Sequence, residues 1–343
     1  MARRVALLTP FAFPSVRGNA VTVERIARGL RVRGADIEVW DLSTMARASI
    51  ERRASEYRPE LVHAFHAYRT GPLGLPLARR IGRPLVVTLT GTDANLDLFD
   101  AERAPAVREV LEGAAAVTVF HDSVAVLVAR AVPETSARIV VVPQSVDLRD
   151  PSPPDGPSPR AREPVMLFPA GIRPVKRPLF PLGPLDSVAA RYPGFELRYI
   201  GPILDVGEGE ALLRALDGRP WARHLGEVPH AAMAAQLRDA DVVLNCSLSE
   251  GGMANSVLEA LACGRAVLAS DIAGNRSVIE DGVTGLLFSG TGDFADKAAR
   301  LLDDPALRAR LGEAGRARAS RFGLHQEIDR YLKLYVSLAP TCP

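Results

Sequence analysis

Lysine is nearly missing from this chain: of 42 basic residues in 343, only Lys176, Lys297 and Lys333 are lysine, and all the others are arginine. Against 40 acidic residues the formal net charge is +2, so the excess of positive charge that marks a nucleic-acid binder is absent. Cysteine is as sparse. Cys246, Cys263 and Cys342 form no CxxC pair and leave one over, which argues against a disulfide framework and for a reducing compartment. No run reaches the 18 or so apolar residues of a membrane span. The apolar start is cut by Pro10 and Pro14 with no small-residue cleavage site behind it, so it reads as a first buried strand and not a signal peptide. The expectation is a cytoplasmic protein. No GxGxxG follows that strand, which argues against a dinucleotide-dependent oxidoreductase.

What remains is ordinary globular material, 47% hydrophobic and 24% charged, and long enough for two domains. Short apolar runs alternate with amphipathic stretches, the pattern of parallel strands buried on both faces and separated by helices. The first half has strand candidates at Val5–Thr9, Ile37–Trp40, Leu61–Ala64, Leu85–Leu89, Ala116–Phe120 and Ile139–Val142. A helix over Val21–Arg33 places Ile26 and Leu30 on one face, with Arg25 and Arg28 away from it. The run DPSPPDGPSPRAREP, Asp150 to Pro164, has nothing to bury and reads as a linker. Alternation resumes at Val165–Pro169, Glu196–Ile200, Val242–Cys246, Arg265–Ser270 and Gly285–Phe288, and Asp293–Leu338 reads as helical throughout. The domains expected are 1–150, a linker at 151–164, 165–322, and a C-terminal helix in 323–343 that packs back on the first domain. The fold class expected is α/β, with two Rossmann-like doubly wound domains facing a central cleft and ligands at the carboxyl ends of the strands.

The stretch SLSEGGMANSVLEALACGRAVLASDIAGNRSVIEDGVTGLLF, Ser247 to Phe288, carries the chemistry. It reads as a strand end, a glycine loop, a helix opening near Asn255, a second strand and a second glycine loop. Small residues at Gly251, Gly252 and Ala254 let backbone N–H groups approach a ligand. The helix N-terminus behind them carries about +0.5 charge, which suits a phosphate. Glu250 and Glu259 flank it. A plainer reading exists for each: Ser256 to Glu259 spells a capping box, and Glu250 is a solvated loop carboxylate. A second cluster, AGIRPVKRP from Ala170 to Pro178, sets Arg173 and Lys176 three apart after a strand. In a chain that otherwise uses arginine, a lysine here suggests a compact ammonium is wanted.

These residues resemble the family 4 (group 1) glycosyltransferases of the GT-B fold, whose hallmark is a Glu, a glycine-rich loop and a second Glu one turn into the next helix. The resemblance extends through Ala240 and Asp241 and through VIEDGVTGLL, Val278 to Leu287. It implies that Glu250 holds the transferred sugar and that Glu259 takes the ribose hydroxyls of a nucleotide. It also implies that Arg173 and Lys176 neutralise the leaving diphosphate, with Gly251, Gly252, Met253, Ala254, Asn255 and Ser256 around the donor. The two carboxylates stand nine apart where the family usually has eight, which marks Gly252 as an insertion, and Ser277 stands where the family often has Glu.

The first half resembles the family less closely. In VRGNAVT, Val16 to Thr22, Gly18 and Asn19 are donor-side candidates, and a plain turn is the alternative. VVTLTGTD, Val86 to Asp93, matches a strand ending in His-Gly-Thr-Asp with Thr90 in place of the histidine. Asp93 is the candidate to orient or deprotonate an acceptor hydroxyl, or else a helix cap. Thr90, His66 and His121 are acceptor-side candidates, though a lone histidine is more often structural, and His63 inside its strand reads as core. The combination resembles the branch of glycosyltransferase 1 domain-containing proteins and bacterial selenosugar synthases, with which it shares Thr90–Asp93, Gln144 with Ser145, and Glu250–Gly252.

The resemblance therefore implies a cytoplasmic glycosyltransferase moving a sugar from a nucleotide-diphosphate sugar, a UDP-sugar first among them, to a small-molecule or saccharide acceptor. It implies retention of configuration; the cations of the site, if they suffice, make a metal unnecessary, no cofactor is expected, and the balanced charge argues against a nucleic-acid partner. The alternatives are a selenosugar or thiosugar synthase with an oxyanion acceptor, a sugar-nucleotide epimerase, and a non-catalytic sugar-nucleotide-binding protein. Peripheral membrane contact through the basic segments Arg25–Arg33 and Arg47–Arg58 is weighed against their being solvated faces.

Overall fold

The computed structural model describes residues 3–15, 17–146, 148 and 163–339. The linker expected at 151–164 falls outside the described residues for 151–162, as do Val16 and Cys342. The chain forms two compact units, one of Met1–Ser145 with Gly323–Pro343 and one of Val146–Phe322.

Unit 1 is a six-stranded parallel sheet of β1 (Arg4–Thr9), β2 (Asp36–Asp41), β3 (Leu61–Phe65), β4 (Leu85–Thr88), β5 (Ala116–Val119) and β6 (Ile139–Val141), in the order β2-β1-β3-β4-β5-β6. Unit 2 repeats the plan with β7 (Val165–Pro169), β8 (Glu196–Ile200), β9 (Ala222–His224), β10 (Val242–Asn245), β11 (Ala266–Ser270) and β12 (Leu286–Phe288), in the order β12-β11-β10-β7-β8-β9. The strands expected from apolar runs are present to within a residue or two. β9 was not legible. It is a three-residue edge strand with a single buried side chain, Ala222, so it has no apolar run to announce it.

Each sheet is buried on both faces. In unit 1, Ala6, Leu8, Val62 and Val87 pack on one side, while Val5, Leu7, Leu61 and Phe65 face the other. That second layer is closed by Ile328, Tyr331 and Tyr335 of the helix Leu324–Leu338, which belongs to unit 1. The C-terminal stretch is not helical throughout. It divides into Thr291–Asp303, Pro305–Ala319 and Leu324–Leu338, because Pro305 cannot continue a helix and Asp304 caps a new one through Leu307 N–H at 2.8 Å.

The helix Gly18–Val32 corrects another expectation. Arg25 is not on a solvated face: it is buried, and its guanidinium grips Glu327 of the C-terminal helix with two 3.0 Å hydrogen bonds. The Ser145 hydroxyl donates to the same carboxylate, and Gln144 Nε2 donates to Thr22 at 3.3 Å. Beside this pin His63 is core, with Nδ1 2.6 Å from the Tyr335 hydroxyl and Nε2 2.6 Å from Thr88. Burial pushes its pKa down to about 3.

Candidate functional site

In a doubly wound sheet the strand order reverses between two neighbouring parallel strands, and the loops leaving their carboxyl ends part to form a crevice. In unit 2 those strands are β7 and β10. Lys176 sits at the end of a short 3-10 turn, Pro174–Lys176, in the loop after β7, and Glu250 in the loop after β10. Lys176 Nζ donates to Glu250 Oε1 at 2.5 Å, so the pair bridges the switch point. The loops are tied a second time by Leu248 N–H to Val175 C=O at 2.8 Å.

Glu250 Oε1 also accepts from Ser247 Oγ at 2.6 Å and Asn245 Nδ2 at 3.1 Å. Burial opposes its ionisation, but the Lys176 ammonium and the bonds from Lys176, Ser247 and Asn245 outweigh it and hold the carboxyl below its ordinary value. It is therefore not a solvated loop carboxylate but a fixed anion beside a fixed cation. Behind it, buried Asn275 donates to Asn245 Oδ1 at 3.2 Å and to Ser270 C=O at 2.9 Å, which orients the amide that orients Glu250. Arg173 lies in the same loop as Lys176, just before the turn.

Gly251, Gly252, Met253 and Ala254 form the link from Glu250 to the next helix. Gly252 adopts φ +133°, open to few side chains, and the Met253 and Ala254 side chains are buried in the core. The helix Asn255–Ala262 follows, with Ala254 as its N-cap and no side-chain cap. The capping box is therefore not formed. Val257, Leu258, Ala260 and Leu261 are buried, leaving Asn255, Ser256 and Glu259 on one accessible stripe. Glu259 Oε1 is 2.9 Å from His230 Nε2. His230 was missed at the sequence level, since VPHAAM has no pattern that distinguishes it.

Unit 1 presents its candidates at the ends of β3, β4 and β5. Asp93 is fully buried and accepts N–H bonds from Ala67 (2.9 Å), Thr90 (2.9 Å), Gly91 (2.8 Å) and Ala94 (3.1 Å). A carboxylate committed to four backbone donors is a clamp joining two loops. His66 takes a left-handed φ of +86°, and its Nδ1 accepts Arg69 N–H at 3.2 Å. Its hydrogen therefore sits on Nε2 and is donated to Thr92 Oγ1 at 2.9 Å. His66 thus fixes Thr92, which the sequence reading did not single out. His121 caps the helix Asp122–Ala131 through Ser123 N–H at 3.1 Å. Gly18 and Asn19 open the helix Gly18–Val32, and Thr90 is half-buried beside Asp93.

Lys297 is not a freely solvated lysine: its ammonium donates to Leu287 C=O and, at 3.0 Å, to Asp293, closing the end of β12. Among the described residues no group of three or more His, Cys, Asp or Glu is placed to hold a metal, and no helix is long and apolar enough to cross a membrane.

Comparison with known proteins bears on this arrangement. Residues 163–304 match the family described as "Glycosyl transferases group 1", and residues 4–150 match "Glycosyltransferase Family 4". The chain is 28% identical over 341 residues to glycosyltransferase 1 domain-containing protein 1 of Xenopus tropicalis, covering 94% of each chain. It is 30% identical over 315 residues to D-inositol 3-phosphate glycosyltransferase of Arthrobacter sp. (strain FB24), covering 82% of this chain and 74% of that one. Among solved structures, Anabaena Alr3699/HepE in complex with UDP and glucose superimposes with a TM-score of 0.82 at 17% identity, over 98% of this chain and 100% of that one.

Proposed function

Because the chain belongs to the family 4 (group 1) glycosyltransferases and is a glycosyltransferase, we propose that its donor is a nucleotide-diphosphate sugar bound on unit 2 at the β7/β10 switch point. The observation that carries this reading is the Lys176–Glu250 pair bridging the two switch-point loops at 2.5 Å, with the stripe Asn255, Ser256, Glu259 on the helix that the Glu250 loop leads into. Lys176 and Arg173 supply positive charge for the leaving diphosphate, and Glu250 accepts hydrogen bonds from the sugar. Glu259 takes the ribose, whose adjacent hydroxyls one carboxylate can accept together. Fixed charges of this kind stabilise the departing anion without a metal. The structural neighbour solved with UDP and glucose favours uridine as the base.

The reaction proposed is transfer with retention. The bond from the anomeric carbon to the diphosphate breaks, the acceptor bonds to that carbon on the same face, and its proton passes to the leaving phosphate. The acceptor, a small molecule or saccharide, lies on the side of unit 1 where Thr90, Thr92 and His66 end β3 and β4, and the setting is the cytoplasm. Lys176→Ala is expected to lower turnover of a UDP-sugar by about two to three powers of ten, the scale of losing an electrostatic stabiliser. Glu259→Ala is expected to raise donor KM about 10–100-fold, the scale of losing hydrogen bonds to a charged group, and both keep an unchanged thermal melt. Wild-type kcat/KM in both variants refutes the assignment. Conversion of the donor without acceptor marks an epimerase instead, and donor binding without transfer marks a non-catalytic binder.

A further inference from the structure

His230 stands within hydrogen-bond distance of Glu259. The two residues lie on different helices of unit 2. His230 opens the helix His230–Asp239, and Glu259 is on the accessible stripe of Asn255–Ala262. A carboxylate only accepts, so the ring nitrogen 2.9 Å from Oε1 is the donor. The side chains are 23% and 13% exposed: open enough for a ligand to touch, closed enough that water competes weakly for the bond. Among the described residues Glu259 Oε2 has no partner. The imidazole therefore occupies one oxygen and leaves the other, with the free lone pair of the first, able to accept from a ligand.

We propose that His230 is a positioning residue for the nucleoside half of the donor, holding Glu259 in the rotamer that receives the ribose hydroxyls. This rests on the reading of the Glu259 stripe as the ribose site. An unrestrained glutamate on a helix surface samples several rotamers, and binding must then select one. Holding it beforehand removes that cost from the binding step. The pair is not what joins the two helices: Leu237 on one and Val257, Leu258 and Leu261 on the other share one buried apolar cluster. Loss of the imidazole should therefore act on affinity and leave the fold in place.

The test uses the full chain and three probes, UDP, ADP and 2′-deoxy-UDP, titrated by calorimetry, with donor KM and kcat measured on a UDP-sugar. For His230→Ala, Kd for UDP and donor KM are expected to rise about tenfold with kcat within twofold. The preference for UDP over 2′-deoxy-UDP should shrink by a similar factor, a change that a purely structural role does not produce. His230→Gln, whose amide N–H can donate to the same oxygen, is expected to recover most of the affinity. Adding His230→Ala to Glu259→Ala should change nothing further. Wild-type affinity and deoxy discrimination in His230→Ala, or a loss confined to kcat, overturns the proposal while leaving the donor reading intact. A wild-type protein that binds none of the three probes overturns both.

Discussion

The sharpest mechanical test of the site is a single methyl group at Gly274, in the short helix Ala273–Arg276 that follows β11. A Cβ there would lie 2.5 Å from Gly252 C=O and 2.6 Å from Glu250 Cβ. Neither atom is the loose end of a side chain, so the loop itself must move. Restoring a tolerable separation of a little over 3 Å displaces residues 250–252 by about 0.7 Å, and overpacking of this kind costs about 1–3 kcal/mol. For a unit of this size that corresponds to a drop of about 2–4 °C in Tm per kcal/mol. On the proposed reading there is a kinetic cost of similar size. The hydrogen bonds that hold Glu250 include three of 2.5, 2.6 and 3.1 Å, and a shift approaching 1 Å at a reacting centre costs about 10–100-fold. Gly274→Ala is therefore expected to lose at least tenfold in kcat/KM for the donor while remaining folded at assay temperature. Gly292→Ala is the control. It places a methyl on the helix Thr291–Asp303 with nothing within 4 Å, and should be neutral or add a few tenths to 1 kcal/mol of stability. Wild-type activity and Tm in Gly274→Ala would show that the close approach of these two loops is not what places Glu250.

Two further predictions concern unit 1. Glu327→Gln leaves the Arg25 guanidinium buried without its counter-charge and should cost about 3–5 kcal/mol in urea denaturation, whereas Arg25→Met with Glu327→Leu should recover most of that; equal stability of the single variant and the wild type contradicts it. His63, with its folded pKa held at about 3 against an ordinary 6.5, is neutral in both states above pH 6.5. Below that the unfolded chain takes up a proton the folded one refuses, so stability falls with decreasing pH by about 1.4 kcal/mol per unit. His63→Gln should flatten that slope between pH 6.5 and 5, and an unchanged slope refutes the assignment.

Much of this was legible because it is local. Buried parallel strands need apolar runs, and Lys176 and Glu250 stand one short loop beyond the strands that position them, so their place at the carboxyl ends of those strands follows from the chain. What was not legible depends on partners far away in sequence. Arg25 directly precedes Ile26 on a helix and looked solvated, and only Glu327, 302 residues on, explains its burial. His230 acquires meaning from Glu259, and Lys297 from a carbonyl at the end of β12. Asp93 was found as a motif residue, but the four N–H groups that bind it were not foreseen. No periodicity foretells which way neighbouring backbone N–H groups point.

The helix that closes unit 1 sets an order on how the protein is made. Val146–Phe322 is continuous in the chain, so unit 2 has every strand and core side chain it needs as soon as Phe322 leaves the ribosome. Unit 1 begins some 145 residues earlier but waits longer. Until Leu324–Leu338 emerges, the sheet face of Val5, Leu7 and Phe65 lacks Ile328, Tyr331 and Tyr335, Arg25 has no counter-charge, and His63 has no tyrosine hydroxyl. Synthesis from the N-terminus ordinarily lets the first domain fold first. Here the first half translated is the last to close, and for the length of unit 2 it emerges with an apolar face and a bare cation still uncovered.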